Sequence, residues 1–216
     1  MEQRSSEWFE ARRGRFTASN ISNILGGLDK KGELLKKTSG AIDTMAFEKA
    51  VEIAFGLDEE ESFVSSDMQR GIDLEPFAFE LIKNKKGLEF AEVEECSFYK
   101  IGENAGASPD GLIKTNSKVS AVLEIKCPKH IKFFKIVANG VDEIDRKYIA
   151  QMNMQMMATN TKECVFLNYL IFNNEEYSHE IIIKKDEELC KLIDERIKVA
   201  VKVRDKYVKQ LKNNIQ

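Results

Sequence analysis

The stretch Ala121-Val122-Leu123-Glu124-Ile125-Lys126-Cys127, preceded by Ser108-Pro109-Asp110-Gly111, decides how this chain is read. Alternation along an extended strand puts Leu123, Ile125 and Cys127 on one face and Val122, Glu124 and Lys126 on the other. The first set suits a core, so the second opens into a cleft with a carboxylate beside an ammonium. Pro-Asp-Gly marks a turn between strands, from which Asp110 can swing toward Glu124 on a neighbouring strand. Each piece alone also occurs as plain structure, a turn and an exposed strand ladder. Two converging carboxylates repel each other unless a cation lies between them, and hard oxygen ligands with open positions suit Mg²⁺. Such an ion polarises a phosphodiester and lowers the pKa of its water. Lys126 then orients the attacking water or screens the charge that builds on the phosphate.

Outward from this stretch, the first half of the chain reads as helical. A short helix is expected over residues 5–13, and Thr17 caps a second that reaches about Leu25 before Gly26-Gly27. A polar loop at 28–38 precedes a helix from Ser39 to Gly56, and another helix covers roughly 66–85. The middle switches to strands at 88–99, 106–114 and 119–127. Helices near 129–138 and 143–158 follow, then a hairpin of 163–172 and 178–184 around Asn173-Asn174. The closing helix, 186–212, repeats Leu189, Ile193, Ile197, Ala200, Val203, Tyr207 and Leu211 at helical spacing. Helices flanking a mixed central β-sheet define an α/β class.

Three further places carry polar residues where chemistry needs them. Met68, Ile72, Phe79 and Ile82 mark one stripe of the 66–85 helix, and Glu75 falls on it. A buried carboxylate needs a partner, either a metal or an arginine. Pro76 cannot donate to the carbonyl of Ile72, so the helix kinks or restarts there, which leaves capping as another role for Glu75. Gln151 lies beside the apolar stripe of the 143–158 helix, as an ordinary satisfied amide or as a group fixing a water or a phosphate. Arg12, with Thr17-Ala18-Ser19 opening a helix, makes either an anion site or a simple cap.

The bulk properties narrow the class. With 216 residues, 43% hydrophobic and 32% charged, the chain fits one globular domain spanning 1–216. No apolar run is long enough to cross a membrane, and the start MEQRSSEWFE lacks the order of a secretion signal, so a cytoplasmic location is expected. Cys96, Cys127, Cys164 and Cys190 form no CxxC pair, and only His130 and His179 accompany them. Zinc and iron–sulfur sites are thereby disfavoured, and core thiols are expected. A net charge of −3 is unusual for a nucleic-acid binder, so any such surface must be local. Arg12, Arg13 and Arg15 make one basic stretch, and Lys126, Lys129, Lys132 and Lys135 another.

In this order the segments resemble the lambda exonuclease family, or YqaJ-type viral recombinases, within the PD-(D/E)xK nuclease superfamily. The likeness runs through Trp8-Phe9-Glu10-Ala11-Arg12, Thr17-Ala18-Ser19 and Gly71-Ile72-Asp73-Leu74-Glu75-Pro76. It continues through Ala107-Ser108-Pro109-Asp110-Gly111, Leu123-Glu124-Ile125-Lys126-Cys127-Pro128 and Tyr148-Ile149-Ala150-Gln151. The resemblance implies a restriction-endonuclease-like core. It also implies Mg²⁺, with Mn²⁺ as substitute, on Asp110, Glu124 and the carbonyl of Ile125. Lys126 and Gln151 would place the nucleophile, and Glu75 would assist at the metal. Arg12, Ser19 and Ser108, with Lys132, would hold a 5′ phosphate. Members resect duplex DNA from its 5′ end, leave a 3′ single strand, form trimeric rings and work with a single-strand annealing protein. One departure is Asn153, where the family places a second glutamine.

The expected function is therefore a 5′→3′ double-strand DNA exonuclease for recombination, encoded by a phage or prophage in a bacterial host. The rivals are an endonuclease of the same chemistry, such as a restriction or junction-resolving enzyme, and a silent DNA-end-binding protein. Circular DNA separates the first rival, and nucleotide release separates the second.

Overall fold

The computed structural model describes residues 3–25, 40–56, 65–84, 89–91 and 97–215. Its centre is a five-stranded sheet in the order β2-β5-β6-β7-β8, built from Glu89–Ala91, Gly111–Thr115, Lys118–Lys126, Glu163–Phe172 and Glu175–Lys184. Only β6 and β7 run parallel, so the sheet is mixed. The hairpin β7–β8 turns on Asn173 and Asn174, both at positive φ (53° and 62°), a conformation that asparagine tolerates better than most residues. β8 begins at Glu175, earlier than the expected 178, because the two-residue turn lets pairing start at once.

Both faces of β6 are buried, which strand alternation alone does not reveal. On one face Leu123, Ile125 and Cys127 pack with Val165, Leu167 and Tyr169 under α3 (Ser66–Lys83), through its Ala78, Phe79 and Ile82. On the other, Val122 packs with Cys164 and Phe166 under Ile136 of α4 (His130–Asn139) and Met152 and Met156 of α5 (Arg146–Thr159). The face of Val122 and Glu124 is therefore roofed by α5, and the expected cleft is confined to the strand end at Lys126. Covering a central strand with a parallel neighbour on both faces is the usual solution for such pairs.

The expected single strand 106–114 is two strands in different sheets. β4 (Ala105–Ala107) pairs with β1 (Phe16–Thr17) and β3 (Tyr99–Ile101) in a three-stranded sheet, and Ser108-Pro109-Asp110 then leads into β5. Proline lacks the N–H that a continuous ladder would need, so the chain changes sheet there. The helix expected from Thr17 is instead the end of β1 followed by a 3-10 turn, Ala18–Asn23, and Thr17 makes no side-chain cap. Near the start, α1 covers Ser6–Arg12, capped by Ser5.

A third cluster joins this turn to α2 (Gly40–Phe55) and α6 (Glu187–Asn214), through Ile21, Ile24, Ile42, Met45, Ile193, Ile197 and Ala200. α5 serves two clusters, with Ala150 and Met154 in this one. Pro76 does not break α3, which runs unbroken from 66 to 83; the proline is exposed, where water can take the place of its missing N–H. Met68 is 55% exposed and so does not continue the buried stripe. Cys127, Cys164 and Cys190 are buried free thiols. Gly26-Gly27, the loop 28–38, Ser39, Cys96 and much of the expected strand 88–99 lie outside the described residues. Among the described residues no helix is long and apolar enough to cross a membrane.

Candidate active site

β6 carries Glu124 inward and Lys126 at its C-terminal end. Asp110 stands across from it, one residue before β5, because Gly111 pairs with Leu123. The Asp110 N–H donates to Leu123 O at 3.1 Å, and the Ile125 N–H donates to Asp110 Oδ2 at 2.7 Å. The aspartate is thus fastened to the very strand that carries the glutamate. Gly111 is required for this approach, since a Cβ there would sit 2.9 Å from Phe79 and 3.1 Å from Leu123.

Glu124 is fully buried, a position a carboxylate tolerates only with partners. Its Oε1 accepts from Lys126 Nζ and from Gln151 Nε2 (2.7 Å), and its Oε2 accepts from Gln155 Nε2 (2.5 Å). Burial, and then the charge of Glu124, push the Asp110 carboxyl well above the usual range. Glu75, on α3, is also raised, by burial first and by Glu124, against the pull of Arg4 and Lys126. Burial works against the Lys126 charge, but Glu124 and Asp110 overcome it and hold the ammonium above its ordinary value. Lys126 also lies 4.9 Å from the ring centre of Tyr148. Asp110, Glu75, Glu124, Lys126 and Gln151 are therefore one interacting group.

The donors fit a hard divalent cation. Two carboxylates share a buried site in which negative charge is already costly, and the Ile125 carbonyl, which accepts from Lys126 Nζ at 3.2 Å, adds a third oxygen. Among the described residues no trio of His, Cys, Asp and Glu is grouped closely enough to hold a metal. A pair of carboxylates with one carbonyl leaves positions open for water, as Mg²⁺ requires.

Beside this centre lies a cationic cradle. Arg12 Nη2 donates to Thr17 Oγ1 at 3.3 Å and to Ser19 Oγ at 3.2 Å, and its guanidinium rests 3.9 Å from the centre of the Trp8 ring. Trp8 Nε1 donates to Ser108 Oγ at 2.9 Å, which brings Ser108 into the same group. Burial pushes the Arg12 pKa down to about 10, with Glu52 acting in the other direction. Its hydrogen bonds go to neutral hydroxyls, and Glu52 is the carboxylate that acts on this half-buried cation. Lys132 is placed differently. Its ammonium donates to Glu143 O at 2.6 Å and to Asp145 Oδ1 at 3.1 Å, tying α4 to the approach to α5.

Two residues at the site were given no role by the motifs. Gln155 holds the second oxygen of Glu124, and its own amide oxygen is buried without a donor among the described residues. The signal for it was its position one helical turn beyond Gln151. Trp8 stands four residues before Arg12 on α1, and that spacing stacks ring and guanidinium. Asn153, by contrast, points away from the site. It donates to Ile149 O at 2.9 Å and accepts from the Asp186 N–H at 2.7 Å, so it holds the start of α6.

A mixed sheet between helices, with an acidic pair and a lysine at a strand end, is the arrangement of a nuclease. The YqaJ-like viral recombinase domain matches residues 7–162, and the chain belongs to that family. No curated relative matches the sequence. Among solved structures, the chain is similar to an alkaline exonuclease (LHK-Exo) from Laribacter hongkongensis, with 25% identity, a TM-score of 0.77 and 97% of each chain covered. The same enzyme in complex with dAMP matches with a TM-score of 0.76, 25% identity and 97% coverage of both chains. A phage-related exonuclease from Haemophilus somnus 129PT shares the fold, with a TM-score of 0.68 at 19% identity, over 91% of this chain and 96% of that one. The chain is thus a nuclease of an exonuclease-type recombinase family.

Proposed function

We propose that this nuclease is a divalent-metal-dependent 5′→3′ exonuclease acting on linear duplex DNA, leaving a 3′ single strand for recombination or annealing. One observation carries the reading: Ser108 of the cationic cradle and Asp110 of the acidic centre are separated only by Pro109. A terminal 5′ phosphate seated on Arg12, Ser19 and Ser108 sets the next phosphodiester at the carboxylates, so cleavage proceeds from an end.

Asp110, Glu124 and the Ile125 carbonyl are the residues that would hold Mg²⁺, with Mn²⁺ as a substitute. The bound ion supplies charge neutralisation for the phosphodiester and acidifies a water. Lys126 supplies a fixed positive charge against the developing phosphorane, and Gln151 and Gln155 keep the Glu124 carboxylate turned toward the centre. Glu75 adds a nearby proton-binding carboxyl. In this reading Lys132 steadies α4 rather than touching the phosphate. Ile131, Phe134, Val137 and Val141 stand exposed along one side, an apolar stripe that supports self-association, here read as a ring of three copies around the duplex. A single-strand annealing protein is the expected partner for the product strand.

The test uses end-labelled linear duplex and covalently closed circles with Mg²⁺. Linear DNA with a 5′ phosphate should be consumed from its 5′ ends while circles persist. Cutting of circles makes the protein an endonuclease, and binding of ends without nucleotide release makes it an end-binding protein.

A further inference from the structure

The cradle is assembled from two distant stretches, residues 8–19 and the end of β4, which meet through the β1–β4 pairing and the Trp8–Ser108 hydrogen bond. Gly14 lies two residues beyond Arg12, at φ +69°, and a Cβ there would come within 2.4 Å of Ile53. Its peptide is gripped on both sides. The Gly14 N–H donates to Glu52 Oε2 of α2 at 2.7 Å, and Arg204 Nη1 of α6 donates to the Gly14 carbonyl at 2.8 Å.

Arg204 reaches the other half as well. Its Nη2 donates to Asn104 Oδ1 at 2.7 Å, and the Asn104 carbonyl accepts from the Phe16 N–H at 2.9 Å. Asn104 directly precedes β4, the strand that delivers Ser108. Asp205 Oδ1 accepts from Arg204 Nη2 and Nε, at 2.8 and 2.9 Å, and the side chain of Arg204 is only 8% exposed. One buried arginine thus ties the segment bearing Arg12 to the segment bearing Ser108. It lies outside the stretch 7–162 that the family shares.

We propose that Arg204 and Glu52 are a positioning pair, which fixes the Gly14 peptide from both sides and so sets the spacing between Arg12, Ser19 and Ser108 on which recognition of the DNA 5′ end depends. The proposal rests on reading those three residues as the terminal-phosphate site. Neither member of the pair touches DNA. Arg204 holds the two halves together, and Glu52, anchored by Lys49 at 2.5 Å, keeps the turn from swinging outward.

The readout is the ratio of digestion rates on otherwise identical 5′-phosphorylated and 5′-hydroxyl linear duplexes, measured on the full chain with Mg²⁺. A residue that only supports the fold lowers both rates in the same proportion and leaves the ratio intact. Arg204→Met and Glu52→Ala should each lower the ratio by about five-fold or more. Glu52→Gln, whose amide oxygen still accepts from the Gly14 N–H, should keep it within about two-fold. Should Arg204→Met fail to fold, as judged by its thermal melt, Glu52→Ala at its partly exposed site decides the matter. A wild-type ratio near one, unmoved by Arg12→Ala, overturns the terminal-phosphate reading and the positioning pair with it. A high wild-type ratio that falls in Arg12→Ala but not in Arg204→Met or Glu52→Ala overturns the pair alone.

Discussion

Glu124 is the residue where burial and charge conflict most directly. It has no exposed surface, and its two oxygens accept from one ammonium and two amides. Glu124→Gln should keep the shape and abolish Mg²⁺-dependent digestion, as followed by acid-soluble nucleotide release. Gln155→Leu should act more mildly, lowering kcat by about 10–100-fold with little change in KM, because it removes only a support of that carboxylate. Asp110 and Glu75 make a prediction about pH. Burial raises both carboxyls, and Glu124 adds to each, so the folded chain binds their protons more tightly than the unfolded chain does. The stability they contribute is therefore complete at low pH and lost as pH rises through their folded values. Without divalent cations, the melting temperature should fall as pH rises above the ordinary carboxylate range, and Mg²⁺ should restore it most at the upper end. Asp110→Asn should flatten both effects, and a profile that rises with pH would contradict the arrangement.

At the scale of elements, α5 does two jobs with one helix. Gln151 and Gln155 face the acidic centre, while Asn153 reaches the other way and fastens the first turn of α6. Asn153→Ala leaves the Asp186 N–H without its partner and should cost about 1–3 kcal/mol of stability, seen as a lowered melting temperature. The specific activity of the folded variant should be unchanged. Gln151→Ala removes a donor to the Glu124 carboxylate and should slow digestion by the folded variant as well as lower the melt. The departure from the family at position 153 thus has a structural explanation rather than a catalytic one.

At the scale of the whole molecule, a net charge of −3 is reconciled with DNA by geometry. The cationic cradle is small and half-exposed, with Ser19 open to solvent, and the rest of the surface need not attract a duplex if copies of the chain enclose it. The exposed stripe of Ile131, Phe134, Val137 and Val141 is where copies would meet. Sedimentation of the wild type should give a mass of about three chains, and Phe134→Asp should shift it toward one. A wild type that sediments as a single chain removes the ring from the account.

What the chain determined by itself was written in neighbouring residues. The period of two in 121–127, the helical repeat of 189–211 and the Asn-Asn turn located the elements closely, and Asp110, Glu124 and Lys126, in that order among apolar strand residues, marked the acidic centre. Such signals need only a few residues in sequence, because backbone geometry fixes which side chains share a face. Tertiary structure alone decided which face was roofed. It turned the expected cleft into a buried glutamate under α5, broke the strand at Ser108–Asp110 between two sheets, and took Thr17 from a helix cap into the cradle. It also joined Gly14 to Arg204 across 190 positions, and Glu124 to Gln155 across 31. No local pattern announces such pairs. A hydrogen-bond partner is chosen only once the core has closed and stripped the water from both groups, and that closure depends on the packing of every element at once.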